Sequence, residues 1–201
     1  MRNAIFISLA ILTIGCGNDE VSNSTGAGEL NAACRESGST CEIIPLAVGN
    51  SWTYEITTYD SLGQLLDCDT SVETIGKDSV IDNETWYSIS PIWFTNRVDG
   101  LWFNDIGFTE GLLYKYPAQA GDSFKCDLCT DYKIVQSIDT SINLGQGSFY
   151  CLKYLSTVPW GDTSYSYVAP GIGFFYQESY YKINDSTLYL GLKKRLILYN
   201  L

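Results

Sequence analysis

The chain has 201 residues, 45% of them hydrophobic, with 12 basic and 23 acidic side chains for a net charge of −11, and no histidine. A chain of this sign is repelled by nucleic acid and by anionic headgroups, so neither is an expected partner surface. The lack of histidine removes Ser-His-Asp and Cys-His nucleophilic sites, histidine metal ligation and the usual base near neutral pH; carboxylates, Tyr and Lys remain for any chemistry.

Residues 1–15 read as a leader. Arg2 supplies a positive charge, Ala4 to Ile14 is a nearly unbroken apolar run, and Leu12-Thr13-Ile14-Gly15-Cys16 closes it with a small residue before a cysteine. This is the order of a secretory signal. The run is well short of the roughly 20 residues that cross a bilayer as a helix. The closing pentapeptide resembles the lipobox of bacterial lipoproteins, with Thr13 where that motif usually has Leu. The resemblance implies that Cys16 is acylated and becomes the N-terminus. The expected partner is then a membrane held through a lipid anchor, and the expected location is the bacterial cell envelope, at the outer membrane and facing the periplasm or the surface.

Residues 16–44 read as a lipidated flexible tether, because Gly17 to Glu20 and Ser22 to Glu29 are small, polar and free of aromatics. A coil of that length spans roughly 30 Å end to end. Acylation of Cys16 leaves an even set: Cys34, Cys41, Cys68, Cys126, Cys129 and Cys151. In an oxidising envelope such a set suits disulfides. Cys34 and Cys41 bracket a short Gly/Ser-rich segment and are paired first. Cys126-Asp127-Leu128-Cys129 also fits half of a zinc site or a redox pair, but nothing helical follows it, and no metal or cofactor is expected.

Residues 45–201 read as one all-β domain. Trp52, Tyr54 and Ile56 alternate with Thr53, Glu55 and Thr57, the pattern of a strand with one wet face. Turn signals recur at strand length: Asp60 to Gly63, Gly76 to Asp78, Asp82-Asn83, Asp99-Gly100, Gly121-Asp122, Gly145 to Gly147 and Asn184-Asp185. The expectation is one twisted antiparallel meander of about ten strands, curled into a barrel or half-barrel.

The chain also repeats itself. Pro45 to Trp52 returns as Pro117 to Phe124, Thr85 to Ile89 as Ser148 to Leu152, and Gly100 to Phe103 as Gly171 to Phe174. Three blocks in one order imply two related halves, 45–116 and 117–199. Trp52 and Phe124 should then hold equivalent buried places, as should Trp86 and Phe149. The segments Pro45 to Tyr54, Asn83 to Tyr87, Asn96 to Phe103 and Val168 to Glu178 resemble a group of uncharacterised bacterial lipoproteins, with a Leu-x-Val-Gly-Asn-x-Trp-x-Tyr opening and an Ala-Pro-Gly-Ile/Val-Gly segment. The resemblance implies an exported all-β domain and no known activity.

Residues that could carry chemistry are few. Asp67 and Asp69 flank Cys68 and share a strand face, which suits a calcium or sugar site or a solvated strand edge; no calcium-loop pattern follows. Aromatics make 14% of the chain. They either fill the core, line an apolar cavity, or form a sugar-stacking platform at Trp93, Trp102 and Trp160. Lys193-Lys194-Arg195 reads as an edge guard against strand pairing. The expected function is a lipid-anchored envelope protein with a non-enzymatic binding or structural role, toward a small hydrophobic ligand or a surface. The rival is a carbohydrate-binding or carboxylate-based carbohydrate-active protein acting on a glycan.

Overall fold

The computed structural model describes residues 31–35, 41–105, 110–126, 131–143, 148–158, 161–184 and 187–201. The leader, Cys16, Cys129 and Trp160 lie outside them. The strands are β1 (Ser51–Tyr59), β2 (Leu65–Thr74), β3 (Lys77–Ile81), β4 (Glu84–Ile89), β5 (Ile92–Arg97), β6 (Gly100–Asn104) and β7 (Gly111–Lys115), then β8 (Ser123–Cys126), β9 (Asp131–Asn143), β10 (Ser148–Thr157), β11 (Thr163–Ala169), β12 (Gly173–Asn184) and β13 (Thr187–Asn200).

The all-β antiparallel expectation holds, but the meander divides into two sheets. One has eight strands in the order β2-β1-β13-β12-β11-β10-β9-β8, and the other has five in the order β3-β4-β5-β6-β7. The large sheet does not close into a barrel, because β2 and β8 are its edges. Pairing of the last strand with the first, from Ser51↔Asn200 to Thr58↔Leu192, places β1 and β13 side by side inside the sheet, next to edge strand β2.

The division occurs at Ile75-Gly76. Ile75 is fully buried; its N–H donates to the Asn50 carbonyl (2.9 Å), its carbonyl accepts the Gly49 N–H (2.9 Å), and the Gly76 N–H donates to Ser88 (3.0 Å). One residue thus ends the ladder with β1 and the next begins the ladder with β4. In the second half the matching site is Val135, which accepts from Gly121 (2.8 Å) and donates to Asp122 (2.8 Å). There β9 runs on unbroken and pairs with both β8 and β10. Gly49 and Gly121 have φ of 98° and 92°, a conformation that favours glycine in both turns.

The aromatic anchors are less alike than the turns. Trp52 is 2% exposed, whereas Phe124 is only half-buried in edge strand β8, edge-on to Tyr154 at 6.3 Å. Phe149 stacks on Phe175 at 4.8 Å inside the main core; Trp86 is buried beneath Arg97 instead, 5.5 Å from its guanidinium. The expectation of equivalent places fails because an edge strand covers its anchor from one side only.

Part of the expected tether belongs to the domain. Residues 31–35 are helical, and Asn31 is 2% exposed. Its Nδ2 donates to the carbonyls of Tyr150 (3.1 Å) and Pro170 (3.0 Å), and its Oδ1 accepts the Tyr150 N–H (2.8 Å). Cys34 is joined to Cys41, and Ile43 enters the core. A polar segment with few anchors reads as coil, because the carbonyls that Asn31 satisfies are distant in sequence.

The inner faces of both sheets and residues 43–46 meet in one core, which includes Trp52, Tyr54, Leu101, Tyr114, Tyr154, Phe175 and Leu196. Lys133, 5% exposed on β9, donates from Nζ to the Leu113 carbonyl of β7 at 3.0 Å and lies 4.5 Å from the Tyr114 ring centre. It stitches the sheets together where β7 and β8 make no ladder.

Candidate ligand cavity between the sheets

Alternation along β1 sends Trp52 and Tyr54 inward, and across the core stand Ile89, Phe94, Leu101 and Leu113 of the small sheet. Between them lies a cavity of about 130 Å³, closed further by Ile44, Leu46, Tyr114 and Phe174, with Glu73 and Lys194 in its wall. The aromatic side chains there are fixed by hydrogen bonds to main-chain carbonyls. Trp52 Nε1–H donates to Ile172 (2.7 Å), and the Tyr54 hydroxyl donates to Phe174 (3.2 Å). Burial, reinforced by the charge of Glu73, holds the Tyr54 hydroxyl well above its ordinary range; burial pushes Tyr114 up to about 12. Both are neutral at physiological pH and present ring faces rather than charges.

The polar end of the cavity is the Lys194–Glu73 ion pair, whose side chains are 20% and 34% exposed. Lys194 Nζ also lies 4.1 Å from the Tyr54 ring centre and 5.0 Å from that of Phe174. Lys193-Lys194-Arg195 is therefore not an edge guard. It sits on a central strand, opposite Glu55, Ile56 and Thr57 on one side and Tyr176, Gln177 and Glu178 on the other, and Arg195 bonds Glu55 at 2.9 Å. A run of like charge is tolerated there because acidic side chains on the neighbouring strands answer it.

Edge protection falls to the other candidate pair. On β2 the Asp67 carboxylate accepts the Cys68 N–H (2.9 Å), and the Asp69 carboxylate accepts that of Thr70 (2.7 Å). N–H groups of an edge strand that exposes Leu65, Leu66 and Val72 are thus bonded by its own carboxylates, which blunts the edge toward a further strand. No group of three or more His, Cys, Asp or Glu that could hold a metal occurs among the described residues.

Of the cysteines, Cys34 and Cys41 are paired with each other, and Cys68 and Cys126 each take part in a disulfide. Cys151 departs from the expectation and carries a free, buried thiol. Burial pushes that thiol up to about 12, which keeps it protonated and unreactive at neutral pH.

Tryptophans and carboxylates meet at Arg97. Its guanidinium takes Glu84 (2.8 and 2.6 Å) and Glu110 (3.1 and 2.7 Å), each through two bonds, and lies 4.4 Å from Trp102 and 5.5 Å from Trp86. The Arg97 hydrogen bonds hold the Glu84 carboxyl below its ordinary range. Both carboxylates are thus held by one guanidinium, which ties β4 and the start of β7 to β5.

The fold and the cavity define an all-β protein of two antiparallel sheets around one shared core. No protein family model matches the chain, and no curated protein matches it. Among solved structures it is similar to a proposed exported protein with a YmcC-like fold from Bacteroides fragilis, at 15% identity and TM-score 0.45 over 80% of this chain and 100% of that one. It is also similar to a proposed lipoprotein from Parabacteroides distasonis, at 12% identity and TM-score 0.42 over 80% of this chain and 99% of that one.

Proposed function

We propose that this chain is a lipid-anchored envelope protein that binds an apolar ligand segment between its two sheets, without catalysis. The observation that carries the reading is the cavity itself, with apolar walls of Trp52, Phe94, Leu101 and Leu113 and an ion pair at one end. A void of about 150 Å³ lined by apolar side chains stays dry and takes up benzene, so a space of this size suits a ring or the end of an acyl chain rather than a whole lipid. The polar end of the ligand meets Lys194 and Glu73.

Titration calorimetry with hexanoate and with hexanol tests it. One saturable site is expected, and it is lost in Leu113→Trp, which fills the cavity while the far-ultraviolet spectrum is kept. Unchanged binding in that variant would place the ligand elsewhere.

The anchor rests on the leader pattern and Cys16. Cys16→Ser should leave the precursor uncleaved or released from membranes on fractionation. Mature protein of that variant still sedimenting with membranes would remove the anchor from the account.

A further inference from the structure

A second concavity lies where the chain leaves one sheet for the other, and its lining differs from that of the cavity. It is a groove of about 280 Å³ bounded by Thr74, Gly76 and Lys77 at the crossover, by Ser88, Ser90 and Pro91 at the β4–β5 turn, and by Trp93. Lys77 and Ser88 are cross-strand partners, as are Ser88 and Trp93, so an ammonium and an indole flank the buried Ser88 in one row across three strands. The Lys77 Nζ lies 5.1 Å from the Trp93 ring centre.

The backbone beneath is immobilised. The Gly76 N–H is bonded to Ser88 at 3.0 Å, and Ile75, fully buried, is bonded on both sides to the Gly49-Asn50 turn. The groove therefore needs little ordering before it binds. Trp93 pairs with Asn104 and Thr95 with Trp102, which makes Trp93 and Trp102 diagonal neighbours on one face, about 7–8 Å apart at the backbone. Trp102 is held by a hydrogen bond from its Nε1–H to Asp99 at 2.8 Å.

An indole wall, the hydroxyls of Thr74 and Ser90 and the Lys77 ammonium match a ligand that is apolar on one face and ringed by hydroxyls at its rim. Apolar ligands have no use for the hydroxyls. Nucleic acid is opposed by the net charge of −11. We propose that this groove binds a pyranose unit of a glycan, which displaces the Lys77 ammonium from the face of Trp93 and stacks there with its hydroxyls on Ser90 and Thr74. Lys77 reaches a ring hydroxyl or an acidic substituent, while the Trp102 ring stays covered by Arg97. The inference stands apart from the inter-sheet cavity, because the two sites share no residue.

The test uses the disulfide-intact exported chain on immobilised neutral chito-oligosaccharides and acidic oligogalacturonates. The wild type is expected to bind at least one of the two series saturably, and Trp93→Ala to lose at least tenfold in affinity. Trp93 is half-buried, so the far-ultraviolet spectrum of that variant is matched to the wild type before its affinity is read. Lys77→Ala supplies a second readout, weakening an acidic series more than a neutral one, and Leu113→Trp should leave glycan binding unchanged. Failure of the wild type to bind either series, or equal binding by Trp93→Ala, would overturn the proposal.

Discussion

Replacing Trp52 with alanine is expected to cost roughly 3–5 kcal/mol, the range for truncating a large buried aromatic. The indole is 2% exposed, and its loss also leaves the Ile172 carbonyl, now bonded at 2.7 Å, without a donor in a buried site. That loss would consume much of a domain's ordinary stability of about 5–15 kcal/mol. Phe124→Ala should cost clearly less, about 1–2 kcal/mol, because a half-buried ring on an edge strand has less apolar surface to lose. Urea unfolding of the two variants makes the comparison. Equal losses would mean that β8 is covered by more than the Tyr154 contact and that the turns carry equivalent anchors after all.

Arg97→Ala is the second large effect. It leaves Glu84 and Glu110 beside each other without their shared counter-charge and uncovers the rings of Trp86 and Trp102. A fully buried network of this kind would cost about 3–5 kcal/mol when broken. The Arg97 and Glu84 side chains are 25% and 29% exposed, so solvent screening brings the expectation to about 1–2 kcal/mol. The hydrogen bonds from Arg97 lower the folded-state Glu84 pKa beneath its ordinary 4.5. A depressed carboxylate stabilises the fold above its unfolded-state value and loses that contribution as pH falls through the folded one. Wild-type stability should therefore fall on acidification below about 4.5, and Arg97→Ala should show a shallower fall over the same range. Parallel pH profiles for the two proteins would contradict the assignment.

What the sequence made legible was local. The period of two through Trp52 and Tyr54 showed which face of β1 is inward, and Gly49 and Gly121 announced turns that share one hydrogen-bond pattern. The Cys34–Cys41 pair followed from its short spacing. What stayed hidden depends on distant partners. Nothing in residues 187–200 says that they pair with residues 51–58, so Lys193 to Arg195 looked like a guarded edge until Glu55 and Glu73 stood beside them. Gly76 was visible as a turn, but not as the point where a strand changes sheets, since that depends on Asn50 and Ser88 together. The cavity was least visible, because its walls come from β1, β2, β12 and β13 on one side and β4 to β7 on the other. The groove at Trp93 was half visible, its tryptophan in the sequence and its hydroxyls only once the end of β2 and the β4–β5 turn stand beside β5.

Methyl-resolved NMR of the folded chain during titration with hexanoate tests the central claim most directly. The account predicts saturable shifts concentrated on the methyl groups of Ile44, Leu46, Ile89, Leu101 and Leu113, which surround the cavity. Shifts confined to exposed methyls such as those of Leu65, Leu66, Val72 and Val80, with the cavity signals unmoved, would contradict it.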